Sequence, residues 1–545
     1  MSALNTPKFL CLVVLDGWGI APPGPGNAIE LANTPNMDRL WASFPHTQLK
    51  ASGEGVGLPK GEAGNTETGH LNLGAGRIVY QDLPRINMSI ADQSFFENPA
   101  FLGAIDHVNK FNSKLHIMGL IGFGGVHSNI EHLYAIIHLA AKNNVRNFFL
   151  HLFTDGRDSS PTAARTILAN INDDLKKEKV GQIASIMGRF WAMDRDLRWE
   201  RTAKAYFALT RGQANLVKNA EEAIEISYTQ GVTDEFIQPS IITDREGKPL
   251  ALIQDNDAAI FFNFRVDRPR QLARSFVLPD FETRKFEYEK KQISEPAIGI
   301  GTTFQRGSMI SNLYFVTMTN YEKILEDAGA HIAFPPEMVN MPIGRVISEN
   351  GLNQVRMSES EKERFVSFYF NGLRGTFPRE EKIIIPSVKV ATYDLKPEMS
   401  ARELTDELIK KIRSGMNYSF ILINFANADM IGHTGNIGAT VSAIQVVDEC
   451  VGKISNVVLG HDGALLITSD HGNAEEMINP KTGDIDTEHS TFPVPFIIVS
   501  REFLGRPATL EEGILADVAP TALGLMNIIQ PTSMTGRNLL SHITR

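Results

Sequence analysis

Short apolar runs recur along the chain and limit the architectures that it can adopt. Each run is rich in Val, Ile, Leu and Phe and precedes a turn with Gly or Asp, then a segment of helical period. The runs are Phe9–Leu15, Leu115–Ile121, Asn147–Phe153, Ala258–Phe264, Phe420–Phe425 and Ala464–Thr468. Strands buried on both faces have this composition, because helices cover the two sides of a parallel sheet. The pattern predicts an α/β fold.

Length, charge and cysteine content exclude several classes of protein. A chain of 545 residues is long enough for two or more domains. Acidic residues outnumber basic ones by 63 to 53, which gives a net charge of -10. Because duplex binding needs clustered Lys and Arg, we expect no nucleic-acid partner, although a local basic pocket for a small anion is compatible with this charge.

No run approaches the roughly 20 apolar residues of a membrane span, so we expect no membrane partner. Two cysteines are too few for a disulfide framework, which favours a reducing, cytoplasmic location.

Two breaks in composition predict domain boundaries. Ile78–Pro84 closes a Gly-rich segment, and Ala333–Glu337 contains two consecutive prolines that a helix cannot cross. We expect a linker near each of these segments.

Carboxylates and imidazoles follow several of the apolar runs. They are Asp16, Asp429, His433, Asp470, His471 and His489. Ligands of open α/β sheets bind beyond the carboxyl ends of the strands, so these side chains are candidates for chemistry. Asp429 and His433 are four residues apart and would share one face of a helix. Three carboxylates and three imidazoles are enough to hold two divalent metals, and the mixed donors suit Mn²⁺ or Zn²⁺ better than Ca²⁺.

Each of these residues also has a simpler interpretation. A single Asp at a strand end is commonly a turn residue or a helix cap, and a single His is commonly a hydrogen-bonded structural residue. The same holds for Thr66, which lies in the Gly-rich segment Gly61–His70. Thr66 either caps a helix or acts as a nucleophile, and the second role needs a neighbouring metal to remove the hydroxyl proton.

A series of longer motifs lies along the chain in a distinctive order. They are Leu15–Gly19 (LDGWG), Gly64–His70 (GNTETGH), Gly124–Ser128 (GGVHS), Asp155–Asp158 (DGRD), Ala192–Arg201 (AMDRDLRWER), Phe262–Arg265 (FNFR), Lys389–Asp394 (KVATYD), Asn424–His433 (NFANADMIGH) and Ser469–Asn473 (SDHGN). In these motifs the chain resembles the cofactor-independent (2,3-bisphosphoglycerate-independent) phosphoglycerate mutases of the alkaline phosphatase superfamily. The resemblance covers essentially the whole length.

The resemblance implies two domains. An alkaline-phosphatase-like metal domain would combine residues 1–80 and 337–545, and an α/β phosphotransferase domain would be inserted at residues 81–336. One metal would be held by Asp429, His433 and His489. The other would be held by Asp16, Asp470, His471 and the Thr66 hydroxyl. The implied ions are Mn²⁺, with Zn²⁺ or Co²⁺ as alternatives.

The resemblance also implies an isomerase of glycolysis that interconverts 3-phosphoglycerate and 2-phosphoglycerate through a phosphoenzyme. The family motif usually reads GNSEVGH, with Ser as nucleophile, whereas this chain has Thr66 at that position and Thr68 two residues later. A threonine keeps the hydroxyl but adds a methyl group that restricts χ1. We therefore expect a phosphothreonine intermediate at Thr66.

Arginines in the inserted segment are the expected ligands of the two anionic groups of a phosphoglycerate, because guanidinium binds carboxylate and phosphate bidentately. The implied substrate-binding residues are His127, Arg157, Asp158, Arg189, Arg195, Arg265, Arg268 and Lys362. Asp158 is also the candidate acid/base for the glycerate hydroxyls.

Two other functions remain open at this point. The chain could be a metal-dependent phosphomonoesterase or another phosphomutase of the superfamily, or a catalytically silent metal-binding or metabolite-binding homologue. We expect a monomer whose partner is a small phosphorylated substrate.

Overall fold

The computed structural model describes residues 6–286, 303–415 and 417–542. The chain divides into two compact units. The terminal unit combines Met1–Gln81 with Glu337–Arg545, and the central unit is Asp82–Pro336.

The described residues form sixteen strands. They are β1 Leu10–Leu15, β2 His46–Lys50, β3 Leu115–Ile121, β4 Phe148–Thr154, β5 Gln182–Gly188, β6 Asn215–Val217, β7 Ser240–Ile242, β8 Ala258–Phe261, β9 Tyr314–Thr319, β10 His331–Phe334, β11 Gln354–Glu359, β12 Glu380–Ile385, β13 Phe420–Phe425, β14 Ala464–Thr468, β15 Val494–Val499 and β16 Gly513–Ile514.

Seventeen α-helices lie in the same described ranges. They are α1 Ala28–Leu31, α2 Pro35–Ser43, α3 Thr66–Ala75, α4 Asp82–Ala91, α5 Pro99–Phe111, α6 Ile130–Lys142, α7 Ala164–Glu178, α8 Arg189–Ala192, α9 Trp199–Arg211, α10 Ala220–Thr229, α11 Pro269–Val277, α12 Lys323–Asp327, α13 Ile343–Glu349, α14 Ala401–Arg413, α15 Asn427–Gly432, α16 Ile437–Gly460 and α17 Val518–Leu525.

The sheet of the terminal unit has the strand order β12-β11-β13-β1-β14-β15-β2-β16. β1 lies between β13 and β14 and pairs with both in parallel, so three carboxyl ends meet at one edge. β15 runs antiparallel to β14 and β2, which the sequence did not predict. β2 has the sequence HTQLK, in which Leu49 is the only apolar residue, so no apolar run marks this strand.

The sheet of the central unit has the order β10-β9-β8-β3-β4-β5-β7-β6. Alternate residues of β3 enter two different apolar clusters: Ile117 packs in one, and Met118 and Leu120 pack in the other. Helices α5, α6 and α7 contribute to the first cluster, and α9 and α11 contribute to the second. Helices therefore cover both faces of the sheet.

The predicted α/β fold is confirmed, and all six predicted apolar runs form strands. The largest boundary difference is at β8, which ends at Phe261 instead of Phe264. There the chain leaves the ladder because the amides of Phe264 and Arg265 both donate to the carbonyl of His127. Cys11 is a fully buried thiol in β1.

Among the described residues, we find no helix with the length and apolar character needed to cross a bilayer.

Candidate functional site

The Asp and His residues predicted to bind metal meet at the carboxyl edge of the terminal-unit sheet. Asp16 directly follows β1, Asp429 lies in α15 just after β13, and Asp470 follows β14. These three strands are neighbours, so the three carboxylates converge although they lie far apart in the sequence. All three are at least 97% buried.

Two imidazoles converge on the carboxylate of Asp429. The Nε2 atoms of His433 and His489 lie 3.1 and 3.2 Å from Asp429 Oδ1 and 3.0 Å from each other. On the opposite side of each ring, Nδ1 lies 2.7 Å from the carbonyl of Thr487 or 2.9 Å from that of Gly64. A neutral ring that donates from Nδ1 presents the lone pair of Nε2 inward. The convergence of two lone pairs and a carboxylate oxygen fits a divalent cation.

A second set of donors surrounds Asp470. His70 Nδ1 lies 3.1 Å from Asp470 Oδ2, and His471 Nε2 lies 3.4 Å from Asp16 Oδ1. These four side chains are completely buried. By distance, the donor atoms fall into two groups, Asp16, His70 and Asp470 in one, and Asp429, His471 and His489 in the other. This grouping differs from the division that the resemblance implies, so the assignment of residues to each ion stays a prediction.

Lys362 supplies the positive charge among these carboxylates. It ends a short 3₁₀ helix, Ser360–Lys362, that follows β11. Its Nζ lies 2.8 Å from Asp16 Oδ1, 2.7 Å from Asp429 Oδ2 and 3.1 Å from Thr66 Oγ1. Burial alone would lower the pKa of Lys362, but the carboxylates hold it above its ordinary value. The position of the ammonium shows that a cation fits between Asp16 and Asp429. A contact of Lys362 with substrate stays a prediction.

The hydroxyl of Thr66 faces the same cluster from the first turn of α3. Its Oγ1 lies 3.0 Å from His471 Nε2 and 3.4 Å from Asp16 Oδ1. The alternative in which Thr66 caps the helix is wrong, because the cap is Asn65, whose side chain accepts from the amide of Thr68. Glycine is required at position 69, since a Cβ there would lie 2.4 Å from the carbonyl of Asp470.

The carboxylates of this cluster favour protonation of His471 and His433 when no metal is bound. Burial alone would lower the pKa of His471, but the carboxylates of Asp470, Asp16 and Asp429 raise it to about 10. A hydrogen bond with Asp429 raises the pKa of His433 as well. A cation binds only the neutral ring, so metal loading at pH 7 must expel protons.

We predict that Mn²⁺ binding releases about one to two protons and that affinity rises about tenfold per pH unit for each proton released. The sign follows from the raised pKa values, since His471 remains protonated up to about pH 10 in the metal-free protein. Calorimetric titration of the chelated, dialysed protein in HEPES and in Tris, at several pH values from 6.5 to 8, measures this. Equal heats in both buffers together with a flat affinity profile would contradict it.

The predicted anion-binding residues of the central unit also gather at the carboxyl edge of their sheet. They follow the neighbouring strands β8, β3, β4 and β5, and they are His127, Arg157, Asp158, Arg189, Arg195, Arg265 and Arg268. Arg189 donates to Asp155 at 2.5 Å and also to Asp158. Asp267 accepts from Arg195 at 2.5 Å and lies 3.4 Å from Arg265.

Positive charge is in excess around one cavity of this edge. Its volume is about 140 Å³, and Arg157, Arg189, Arg195 and Arg268 are among its lining residues. Burial lowers the pKa of Arg268, and the neighbouring guanidinium groups lower it further. Its buried Nε has no hydrogen-bond partner among the described residues. A bound anion would relieve this repulsion and accept from the unpaired donor.

Protonation states at this edge are set by the arginines. Burial alone would raise the pKa of Asp158, but its hydrogen bond to Arg189 and the nearby positive charges lower it, so the carboxylate is ionised. Burial lowers the pKa of His127 to about 4, helped by Arg189 and Arg265, so this ring is neutral at pH 7. An ionised Asp158 suits a proton acceptor better than a proton donor.

Comparison with known proteins identifies the family. The family model described as "BPG-independent PGAM N-terminus" matches residues 86–323. The chain is 46% identical over 539 residues to the 2,3-bisphosphoglycerate-independent phosphoglycerate mutase of Moorella thermoacetica, with 99% of each chain covered. The corresponding enzyme of Chloroflexus aggregans is 47% identical over 540 residues, covering 98% of this chain and 99% of that one. The chain belongs to the 2,3-bisphosphoglycerate-independent phosphoglycerate mutase family.

The similarity to phosphoglycerate mutases also holds for the fold, as a solved structure shows. The crystal structure of Leishmania mexicana phosphoglycerate mutase at low cobalt concentration is 29% identical and covers 98% of both chains, with a TM-score of 0.57. The predicted family is therefore confirmed by sequence over the whole chain and by fold.

The structure reveals residues around both sites of this family member that the sequence did not single out. Glu475, which is 97% buried, accepts from the amides of Gly19 and Asn473 at 2.9 Å and from the hydroxyl of Ser490. One carboxylate thus ties together the loops that follow β1 and β14 and the segment that carries His489. The sequence signal is absent, because Glu475 and its neighbour Glu476 are indistinguishable without the fold.

Three other side chains were not predicted to take part. His70 contacts Asp470, and Asn424 donates to Asp16 Oδ2 at 2.8 Å. In the central unit, Asp267 lies between two arginines and 3.5 Å from His127. Two of them lie in motifs, since His70 ends the Gly64–His70 motif and Asn424 begins the Asn424–His433 motif, but no role was assigned to either.

Proposed function

We propose that the protein interconverts 3-phosphoglycerate and 2-phosphoglycerate without added bisphosphoglycerate, and that Thr66 carries the phosphoryl group. In the first half of the reaction, the hydroxyl of Thr66 loses its proton, the bond from phosphorus to the glycerate oxygen breaks, a bond from phosphorus to Thr66 Oγ1 forms, and the glycerate oxygen gains a proton. In the second half, the other glycerate hydroxyl loses its proton and its oxygen bonds to phosphorus, while the bond from phosphorus to Thr66 Oγ1 breaks and Thr66 regains a proton. The observation that carries the proposal is near 47% identity over 98% of the chain to enzymes of this name.

We infer that two divalent cations serve this reaction, with Mn²⁺ as the first choice and Zn²⁺ or Co²⁺ as alternatives. The residues that would hold them are Asp16, Thr66, Asp429, His433, Asp470, His471 and His489. Their support is the convergence of oxygen and nitrogen donors in a buried, negatively charged cluster. When bound, such ions lower the pKa of a ligating hydroxyl and offset the charge of a phosphoryl group.

The arginine cluster of the central unit would bind the carboxylate and phosphate of the substrate. The excess of positive charge around Arg268 and its unpaired Nε support this role. Asp158, held ionised by Arg189, would accept the proton of the glycerate hydroxyl that receives the phosphoryl group. His127, neutral at pH 7, would hydrogen-bond the substrate without adding charge.

Arg268→Ala is predicted to weaken substrate binding by about 1.5 to 3 kcal/mol, the worth of a hydrogen bond to a charged group. That energy corresponds to a rise in KM for 3-phosphoglycerate of about 10- to 150-fold. The matched control is Arg245→Ala, which removes an exposed arginine from a turn of the same unit. Steady-state kinetics that give the same KM for both variants would argue against a substrate contact.

One coupled assay tests the proposed function. Enolase consumes 2-phosphoglycerate, so it reports interconversion of 3-phosphoglycerate in the presence of Mn²⁺ and without bisphosphoglycerate. We expect turnover that EDTA abolishes and no stoichiometric release of inorganic phosphate. Release of phosphate in place of 2-phosphoglycerate would identify a phosphomonoesterase, and absence of both products would favour a silent homologue.

We further propose that the enzyme acts as a monomer in the cytoplasm. The two cysteines are buried, unpaired thiols, which suits a reducing compartment. Sedimentation equilibrium at micromolar concentration should give the mass of a single chain, 60.3 kDa.

A further inference from the structure

A buried carboxylate lies within the arginine cluster of the central unit. Asp194 is 5% exposed and lines the same cavity as Arg195 and Arg268. Its Oδ1 accepts from the amides of Asp196 and Arg198 at 2.9 and 3.0 Å. Its Oδ2 accepts from the guanidinium of Arg198 at 3.2 Å. A second guanidinium, that of Arg201, donates to the same oxygen at 3.4 Å. The carboxylate is fully engaged in holding the loop between α8 and α9.

Gln271 holds the same loop from α11. Its side chain is 99% buried, and its Nε2 donates to Asp194 Oδ1 at 3.2 Å and to Thr202 Oγ1 at 2.8 Å. Its Oε1 accepts from the amide of Leu197 at 3.1 Å. Leu197 has a φ of 54°, in the left-handed region that a branched side chain rarely adopts. The bonds from Gln271 and Asp194 therefore hold the loop in a conformation that its sequence does not favour.

This arrangement links two arginines that the sequence predicted to bind substrate. Arg195 lies between Asp194 and the strained Leu197. Arg268 directly precedes α11, the helix that carries Gln271, and its Nη1 donates to the carbonyl of Met193 at 3.2 Å. The hydrogen bond between Gln271 and Asp194 therefore connects the two segments that carry these guanidinium groups.

We propose that Asp194 is a positioning residue that, together with Gln271, sets the spacing of Arg195 and Arg268 for the two anionic groups of the phosphoglycerate. This proposal rests on the proposed function, because it takes the arginine cluster as the substrate site. Asp194 itself does not touch the substrate. A negative side chain would repel an anionic ligand, and its five accepted hydrogen bonds account for its presence there.

The direction in which Asp194→Asn changes KM distinguishes a positioning role from a purely electrostatic one. Asp194→Asn keeps the shape of the side chain and removes a negative charge from an anion-binding cavity. If charge were its only role, the variant would bind 3-phosphoglycerate more tightly and its KM would fall. If Asp194 positions the arginines, the amide loses the acceptor for Arg198 and Arg201, and KM rises about tenfold or more while kcat changes little.

The experiment compares KM and kcat for the wild-type protein, Asp194→Asn and Glu200→Gln. Glu200 is an exposed residue of α9, so its substitution removes the same charge away from the cavity. Gln271→Met is the second variant, because it keeps the volume of the side chain but removes all three of its hydrogen bonds. It should raise KM in the same direction, and circular dichroism at the assay temperature checks that each variant is folded.

The outcomes distinguish the two proposals. A wild-type protein without interconversion overturns the proposed function, and with it the substrate named here. An active wild-type protein whose Asp194→Asn and Gln271→Met variants keep the KM of Glu200→Gln overturns the positioning role alone. A fall in KM for Asp194→Asn also overturns it. A rise in KM for both variants with kcat preserved supports it.

Discussion

Thr66→Ala should abolish phosphoryl transfer, with a fall in kcat on the order of 10⁴-fold or more, because it removes the only atom that can carry the phosphoryl group in the proposed reaction. The hydroxyl of Thr66 lies 3.0 Å from His471 Nε2 and 3.1 Å from Lys362 Nζ, so it occupies the centre of the charged cluster. Alanine suits the first turn of a helix, and the cap at Asn65 is untouched. We therefore expect the variant to fold.

Thr66→Ser should retain activity, since it keeps the oxygen and removes only the methyl group that restricts χ1. Rapid quench of the wild-type protein with 3-phosphoglycerate, followed by mass spectrometry, should place the added phosphoryl mass on the peptide that contains Thr66. Thr68→Ala is the matched control, because Thr68 is a buried hydroxyl residue of the same helix. Phosphorylation confined to Thr68, or normal turnover by Thr66→Ala, would refute the assignment.

The carboxylates that converge in the terminal unit could be found from the sequence because each follows an apolar run. Asp16, Asp429 and Asp470 each follow an apolar run, and the runs proved to be three adjacent parallel strands. Strand order, however, is a long-range property. It brings Asp16 next to Asp429 across more than 400 residues, and no local pattern encodes this contact.

Lys362 could not be found in the same way, because it does not follow a predicted apolar run. It follows β11, whose apolar character is interrupted by Gln354 and Arg356, so its strand was not among the predicted runs. Only the position of β11 beside β13 places the ammonium near Asp429. The resemblance gave Lys362 a role with substrate, whereas the structure shows what the residue contacts in the protein.

Carboxylates that hold loops were the largest class of missed residues. Glu475, Asp267 and Asp194 each accept from groups of several segments, or lie between them. In sequence Glu475 and Asp267 are ordinary acidic residues, for which a turn residue or a solvated side chain is the simplest interpretation. Asp194 lies in the Ala192–Arg201 motif, but nothing local gives it a role different from that of the neighbouring Asp196. Their importance arises from the number of donors that the fold brings to them.

Asp429→Asn should lower kcat by about 10³-fold or more and remove at least one bound metal ion, because Asp429 is the carboxylate on which His433, His489 and Lys362 all converge. Burial alone would raise the pKa of Asp429, but Lys362 and the imidazoles hold it well below its ordinary range. The group is therefore ionised at every pH at which the enzyme would work. An amide offers neither that charge nor two equivalent oxygens.

Metal content after dialysis, measured by elemental analysis, tests this directly and independently of turnover. Asp406→Asn is the control, because Asp406 is an exposed residue of α14.

Loss of Asp429 also leaves Lys362 partly unpaired in a buried site, which can destabilise the fold. His433→Ala avoids this difficulty, since the His433 side chain is 41% exposed and its removal leaves the contacts of Lys362 intact. It should weaken Mn²⁺ binding by about 100-fold. Unchanged metal stoichiometry and affinity in both variants would make Asp429 and His433 structural residues and would remove the basis for a metal site at this edge of the sheet.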